Sequence, residues 1–169
     1  MAITATDIKF YHSGGASNSV GNASIGGAIS SVELSSGTLH DLFDKVTGDE
    51  SAAGDIEYRC IYIKNTHGTL TLESALLWIS ANTPSADTTI DIGLSAQGLT
   101  ATATAVANES TAPAGVSFSA PASKAAGLAV GDLAAAAYVG VWIRRTVTAG
   151  AAAYNSDTAT LRIEGDTAA

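Results

Sequence analysis

The sequence predicts an all-β domain, either an antiparallel β-sandwich or a jelly roll, with one short helix at about residues 38–46. Three observations predict this class. Short segments alternate polar and apolar residues, clusters of Gly, Asn, Asp and Ser separate them, and aromatic residues make up only 6%. A chain of 169 residues is also long enough to bury a sizeable core, and we expect residues 1–169 to form one domain.

A segment rich in Gly, Ser and Asn, residues 12–31, follows the first predicted strand at 7–11. It contains almost no large apolar side chains that could be buried, so we expect a flexible loop or an extended arm that becomes ordered on a partner. The alternative is a flexible surface loop that has no partner. The residues predicted to contact a partner are Ser13, Gly14, Gly15, Asn18, Asn22, Gly26 and Gly27.

The helix at 38–46 is predicted because four apolar residues recur at the spacing i, i+3, i+4, i+7, which forms one helical face. Ser36 or Thr38 would cap its start, and Gly48 would end it. So short a helix does not persist alone in water, so we expect it to lie across a sheet. The four apolar residues are Leu39, Leu42, Phe43 and Val46.

The remaining alternating segments bring the total to seven to nine strands. Within 55–64, Tyr58 and Cys60 share one face, whereas Arg59 and Ile61 share the other. Shorter features follow: a strand at 116–118, a turn-rich stretch at 127–133 and a frayed tail at 166–169. The longer predicted strands are 55–64, 69–72 and 75–80 (two strands or one bent strand), 88–94, 138–147 and 158–164.

The charge balance argues against a nucleic-acid partner. The chain has eight Lys and Arg residues and sixteen Asp and Glu residues, for a formal net charge of −8. Nucleic-acid-binding proteins usually present a basic face, and the longest basic cluster here is the pair Arg144 and Arg145, which we interpret as an exposed strand end. No segment reaches the roughly 18 apolar residues of a membrane span, so we expect no membrane partner either.

A single cysteine, Cys60, excludes a disulfide within one chain. Its place in an alternating strand predicts a small buried apolar residue rather than a nucleophile. The first residues carry no basic region followed by an apolar run, so we expect no secretory signal peptide. Both features are typical of a protein that assembles in a reducing cytoplasm.

No motif in the sequence predicts a catalytic, metal or cofactor site. The three histidines, His12, His40 and His67, lack metal-ligand spacing. The segment from Gly21 to Gly26 has the spacing of a phosphate loop, but Gly27 stands where the lysine is needed.

Acidic residues cluster between residues 41 and 57 and form the best candidate for a Ca²⁺ site, although their spacing differs from an EF-hand. We interpret the cluster as a solvated helix end and turn. A hydrolase that uses a pair of these acids is an alternative from another class. The cluster comprises Asp41, Asp44, Asp49, Glu50, Asp55 and Glu57.

Two tryptophans, Trp78 and Trp142, each lie in the middle of an apolar strand. This position favours burial in a core or an interface. A carbohydrate-binding module, which would expose a tryptophan as a stacking platform, is a further alternative.

Six short segments of the sequence, taken in order, carry a family resemblance over most of the chain. They are SGGASN at 13–18, GGAIS at 26–30, EYRCIYIKNT at 57–66, NESTAP at 108–113, VWIRRTV at 141–147 and LRIEG at 161–165. Together they resemble virion proteins of tailed bacteriophages, in particular the capsid decoration or cement proteins.

This resemblance implies a non-enzymatic structural role. Such decoration proteins are small β-sandwiches or jelly rolls that bind the capsid lattice, commonly as trimers. The implied partners are the major capsid protein or other virion proteins, together with further copies of the chain. The implied location is the virion, assembled in the host cytoplasm. A tail or baseplate component shares the same composition and is the alternative.

Overall fold

A computed structural model describes residues 2–167 and shows seven β-strands in two antiparallel sheets, which confirms the predicted all-β class. One α-helix, α1, and three single turns of 3-10 helix accompany them within these residues. The strands are β1 (Ile8–His12), β2 (Asp55–Asn65), β3 (Leu72–Ala81), β4 (Thr88–Leu99), β5 (Leu128–Leu133), β6 (Tyr138–Val147) and β7 (Thr160–Thr167), α1 is Gly48–Ala53, and the 3-10 turns are Ala5–Asp7, Gly21–Ala23 and Lys124–Ala126.

The two sheets stack as a sandwich. One sheet has the order β1-β2-β6-β4 and the other the order β5-β3-β7. We call the side of the four-stranded sheet that faces the smaller sheet its inner face, and the opposite side its outer face. Both sheets contribute to the core between them, because alternate residues of each strand point inward. The buried residues of this core are Ile61, Ile63, Leu72, Ala75, Leu77, Ile79, Ile90, Ile92, Val130, Leu133, Val139, Val141 and Ile143.

Three predictions of local structure differ from what the structure shows. The segment expected as a turn-rich approach is strand β5, which buries Val130 and Leu133 and accommodates Gly131 at φ 85°. No strand forms at 116–118, and only Ser119 makes an isolated bridge to β4. The predicted tail at 166–169 starts inside β7, and its last two residues lie outside the described part of the chain.

The outer face of the four-stranded sheet carries a second apolar cluster. It is formed by the residues that alternate with the inner core, as the pattern in β2 predicts. Loop residues Ile29, Val106 and Phe118 pack against it, so loops of the chain close over this face. The buried members are Tyr58, Cys60, Tyr62, Ala103 and Trp142.

The loop of residues 12–31 lies against this outer face and is held by its own chain. The N–H of Cys60 in β2 donates to the carbonyl of Ser24 at 2.6 Å, and the N–H of Gly27 donates to the carbonyl of Ala103 at 2.9 Å. The expectation that the segment has almost nothing to bury is therefore corrected, since small polar side chains fill the layer. Buried residues of this loop are His12, Ser13, Gly21, Ser24, Gly26 and Ser30.

The helix predicted at residues 38–46 is wrong. The segment is an irregular loop in which His40 has φ 61°, and α1 begins just after it. The carbonyls of Leu42 and Asp44 accept hydrogen bonds from arginine side chains of the sheet, which replace the amide partners of a helical ladder. Phe43 nevertheless packs on the core across the sheet, as the prediction required. The prediction thus placed the Phe43 contact correctly, whereas the backbone is not helical and Leu39, predicted on the same face, is 53% exposed.

Candidate functional site

Three charged residues of β2 and β6, Glu57, Arg59 and Arg145, lie on the inner face, in phase with its isoleucines. Glu57 and Arg59 precede Ile61 at intervals of two residues, and Glu57 stands opposite Arg145 in the neighbouring strand. All three charged side chains are nearly or fully buried, with Arg59 at 0% exposure. The smaller sheet covers the apolar half of the inner face, and the 34–47 loop covers this charged half.

The buried charges form one ion-pair network. The Arg59 guanidinium lies 2.6 Å from the Glu109 carboxylate and 3.4 Å from that of Glu57. Arg145 pairs with the other carboxylate oxygen of Glu57, and Asp44 lies 3.6 Å from Arg145. The prediction that Arg144 and Arg145 form an exposed strand end is therefore wrong for Arg145, which is buried. Its charge is compensated by these carboxylates, as a buried charge requires.

The pKa of Glu57 reflects its enclosed position. Burial raises the pKa of this carboxyl above its ordinary value, and the positive charges of Arg145 and Arg59 oppose the shift.

The two arginines also fasten the 34–47 loop to the sheet. Arg59 Nε donates to the Leu42 carbonyl at 3.2 Å, and Arg145 Nη1 donates to the Asp44 carbonyl at 2.6 Å. Between these two anchors the Phe43 ring lies 5.4 Å from the guanidinium carbon of Arg59 and 4.8 Å from that of Arg145. These are cation–π distances, so the loop is held by both its backbone and its ring.

Beside this anchored loop lies a groove of about 1160 Å³, bounded by the 34–47 loop and the 151–159 loop. Leu39 and Tyr154, one from each loop, line it and are 53% and 54% exposed. Apolar side chains from every strand of the larger sheet and from β7 form its floor. The floor residues are Phe10 and Leu161, which are half-buried, and Ile61, Ile90 and Ile143, which are buried in the core beneath them.

The predicted partner-contact residues lie apart from this groove and fall into three groups by exposure. Ser13 and Gly26 are buried within the chain, so neither offers its own surface to a partner. Gly14 and Asn22 are exposed, and the Asn22 side-chain oxygen accepts from Arg59 Nη2 at 3.1 Å. The remaining three, Gly15, Asn18 and Gly27, are partly exposed.

A serine, a histidine and an acid come together beneath the 12–31 loop, an arrangement that the sequence did not predict. His12 Nδ1 lies 3.0 Å from Ser24 Oγ, and its Nε2 lies 3.8 Å from Asp41. Ser24 Oγ also lies 3.2 Å from the Val20 carbonyl and accepts from the Asn18 side-chain amide at 3.2 Å. The His12 and Ser24 side chains are both buried, and this geometry fits a structural hydrogen-bond chain rather than a nucleophile and its base.

The acidic cluster at 41–57 is dispersed among separate structural contacts. Glu50 completes a capping box with Thr47 at the start of α1, and Asp41 accepts from the Ser35 amide at 2.7 Å. Glu57 belongs to the buried arginine network. Within residues 2–167, no three His, Cys, Asp or Glu side chains are grouped to hold a metal ion.

Neither tryptophan is available as a stacking platform. Trp142 lies in the outer-face cluster at 1% exposure, and Trp78 is 6% exposed with Arg162 against its ring. The prediction that both are buried is confirmed, and the carbohydrate-binding alternative loses the exposed aromatic that it requires. Among the described residues, no helix is both long and apolar enough to cross a membrane.

No protein-family model matches the chain, and neither the curated proteins nor the solved structures yield a match.

Proposed function

We propose that this chain is a non-enzymatic structural protein of a tailed-phage virion, which decorates or cements the capsid by binding other virion proteins. The observation that carries the proposal is the groove, whose apolar floor and exposed apolar rim are built on a well-packed sandwich. Exposed apolar side chains that flank a groove, as Leu39 and Tyr154 do, are typical of an interaction site.

The way in which the groove is built supports a binding role. Arg59 and Arg145 fix the 34–47 loop at two carbonyls and one ring, so one wall of the groove is anchored to the sheet. A preformed wall lowers the ordering entropy that a partner must overcome, which favours stable association. A protein that holds a lattice together needs this property more than it needs mobility.

The placement of the reactive side chains supports a structural rather than a catalytic role. Burial raises the pKa of Cys60 to about 12, so its thiol stays protonated at neutral pH. Ser24 and His12 are enclosed and hydrogen-bonded to each other beneath the 12–31 loop. The groups best suited to nucleophilic chemistry therefore stabilise the fold.

Cryo-electron microscopy of purified particles of the phage that encodes the chain tests this proposal. We expect copies of the seven-stranded sandwich at regular positions over the capsid, grouped as oligomers such as trimers. Density confined to the tail would overturn the capsid role in favour of a tail or baseplate component. Absence of the chain from particles would overturn the virion role altogether.

A further inference from the structure

We propose that the groove binds an extended segment of a partner protein, one that alternates apolar residues with Lys or Arg and adds a strand beside β7. This inference rests on the proposed function and deepens it, because it specifies the chemistry of the partner. Three independent features of the groove support it: the free strand edge, the apolar floor and the charge of the rim.

The strand edge favours an extended ligand. β7 is the outer strand of the smaller sheet, and its first two residues, Thr160 and Leu161, line the groove. An outer strand presents backbone N–H and C=O groups that an added strand can pair with. A segment lying there would occupy the position of a fourth strand in the smaller sheet. The two sheets would then match in width.

The floor favours apolar side chains on one face of that segment. In an extended chain every second residue points the same way, so alternate side chains would reach down towards the half-buried Phe10 and Leu161. The volume of about 1160 Å³ also exceeds the range of roughly 300–1,000 Å³ that is usual for small-molecule sites. A strand is therefore a better fit than a small ligand.

The rim favours basic residues on the other face. The carboxylates of Asp41, Asp44 and Asp157 line the groove, against Lys45 and the titratable His40. Arg145 also lines it, but its charge is balanced in the buried network by Glu57 and Asp44. Asp41 and Asp157 against Lys45 then leave one net negative charge at the rim. A segment with Lys or Arg would be attracted to this remaining negative charge, whereas an acidic segment would be repelled.

The test measures fluorescence anisotropy of a labelled peptide of about eight residues that alternates Val and Lys, long enough for one strand. We expect it to bind the intact chain, more weakly at high salt, while a Val-Glu peptide does not bind. The double variant Leu39→Ser/Tyr154→Ser should weaken binding about tenfold or more, through the loss of two apolar contacts. Val20→Ser is the matched control, because Val20 is equally exposed, at 55%, and does not line the groove.

Several outcomes would overturn the inference. One is equal loss of affinity in the control and the double variant, and another is equal binding of the acidic peptide. A third is that the peptide does not bind, whereas an apolar dye binds and loses affinity in the Leu39→Ser/Tyr154→Ser variant. That result would assign the groove to a small ligand. Self-association that the double variant abolishes would assign it to a second copy. If the double variant unfolds, Tyr154→Ser alone makes the same comparison, with a smaller loss expected.

The microscopy of particles and the peptide-binding measurement together distinguish failure of this inference from failure of the proposed function. Copies on the capsid with an empty groove would retain the virion role and overturn the docked segment. Specific peptide binding by a chain that is absent from particles would do the reverse.

Discussion

The two faces of the four-stranded sheet are covered in different ways. On the outer face, loops close completely over Tyr58, Cys60 and Trp142. On the inner face, the smaller sheet covers one half, and the 34–47 loop covers the other half and borders the groove. The outer face thus belongs to the folded core, whereas a groove flanked by the exposed residues Leu39 and Tyr154 borders the inner face.

Both faces show how a loop can cover a sheet without a backbone ladder. Polar side chains of the sheet supply the hydrogen bonds that the loop backbone needs. On the outer face the Tyr62 hydroxyl donates to the Gly27 carbonyl at 2.6 Å and accepts from the Ala103 amide at 2.8 Å. On the inner face Arg59 and Arg145 do the same for two loop carbonyls. Removing one anchor from each face tests the comparison.

The largest effect is expected on the inner face, for Arg59→Met. This change keeps much of the volume but leaves the buried Glu57 carboxylate with less compensation and frees the Leu42 carbonyl. We expect the free energy of unfolding to fall by about 3–5 kcal/mol, the usual cost of breaking a buried ion pair. Urea unfolding followed by tryptophan fluorescence measures it.

Arg162→Met is the control for that substitution, because the Arg162 side chain is 63% exposed and the change should cost within about 0.5 kcal/mol. Equal stability of the two variants would mean that the 34–47 loop is held by apolar packing alone.

A smaller effect is expected on the outer face, for Tyr62→Phe. The variant keeps the ring but leaves the Gly27 carbonyl and the Ala103 amide without their shared partner. We expect a loss of about 1–3 kcal/mol, together with faster amide hydrogen exchange at Ala103. Tyr154→Phe, at an exposed position, serves as the control. Unchanged exchange at Ala103 would show that the outer loops do not depend on this anchor.

Much of the fold could be predicted, because strand alternation is a local signal. The faces of β2 follow directly from residues two apart. The 38–46 segment was mispredicted because its apolar spacing is helical, while its backbone partners, Arg59 and Arg145, come from distant parts of the chain. Tertiary contacts overrode local propensity there.

The groove and its arginine network could not be predicted in full, but one signal was present. Glu57 and Arg59 stand in phase with Ile61 and Ile63, and Arg145 with Val141 and Ile143. Charges in the buried phase of a strand indicate ion pairs with each other or with a covering loop. Their partners and the open half of the sandwich depend on how the two sheets overlap, which no local pattern encodes.

The third prediction concerns how stability depends on pH through the buried Cys60 of the outer face. Its expected effect is the smallest of the three. Burial raises the pKa of Cys60 from an ordinary value of 9.0 to about 12. Below pH 9 the thiol is protonated in both states, so its contribution to stability is fully present. As pH rises further the unfolded thiol ionises and the folded one does not, so stability is lost towards pH 12.

At pH 10 this loss is about 1.4 kcal/mol relative to pH 8, by the linkage relation. We expect the stability difference between the natural chain and Cys60→Ala to shrink by that amount in urea unfolding at the two pH values. Tyr62, whose pKa burial also raises to about 12, is present in both proteins and cancels. A difference that stays constant between pH 8 and pH 10 would mean that water reaches Cys60, and the outer face would then be as open as the inner one.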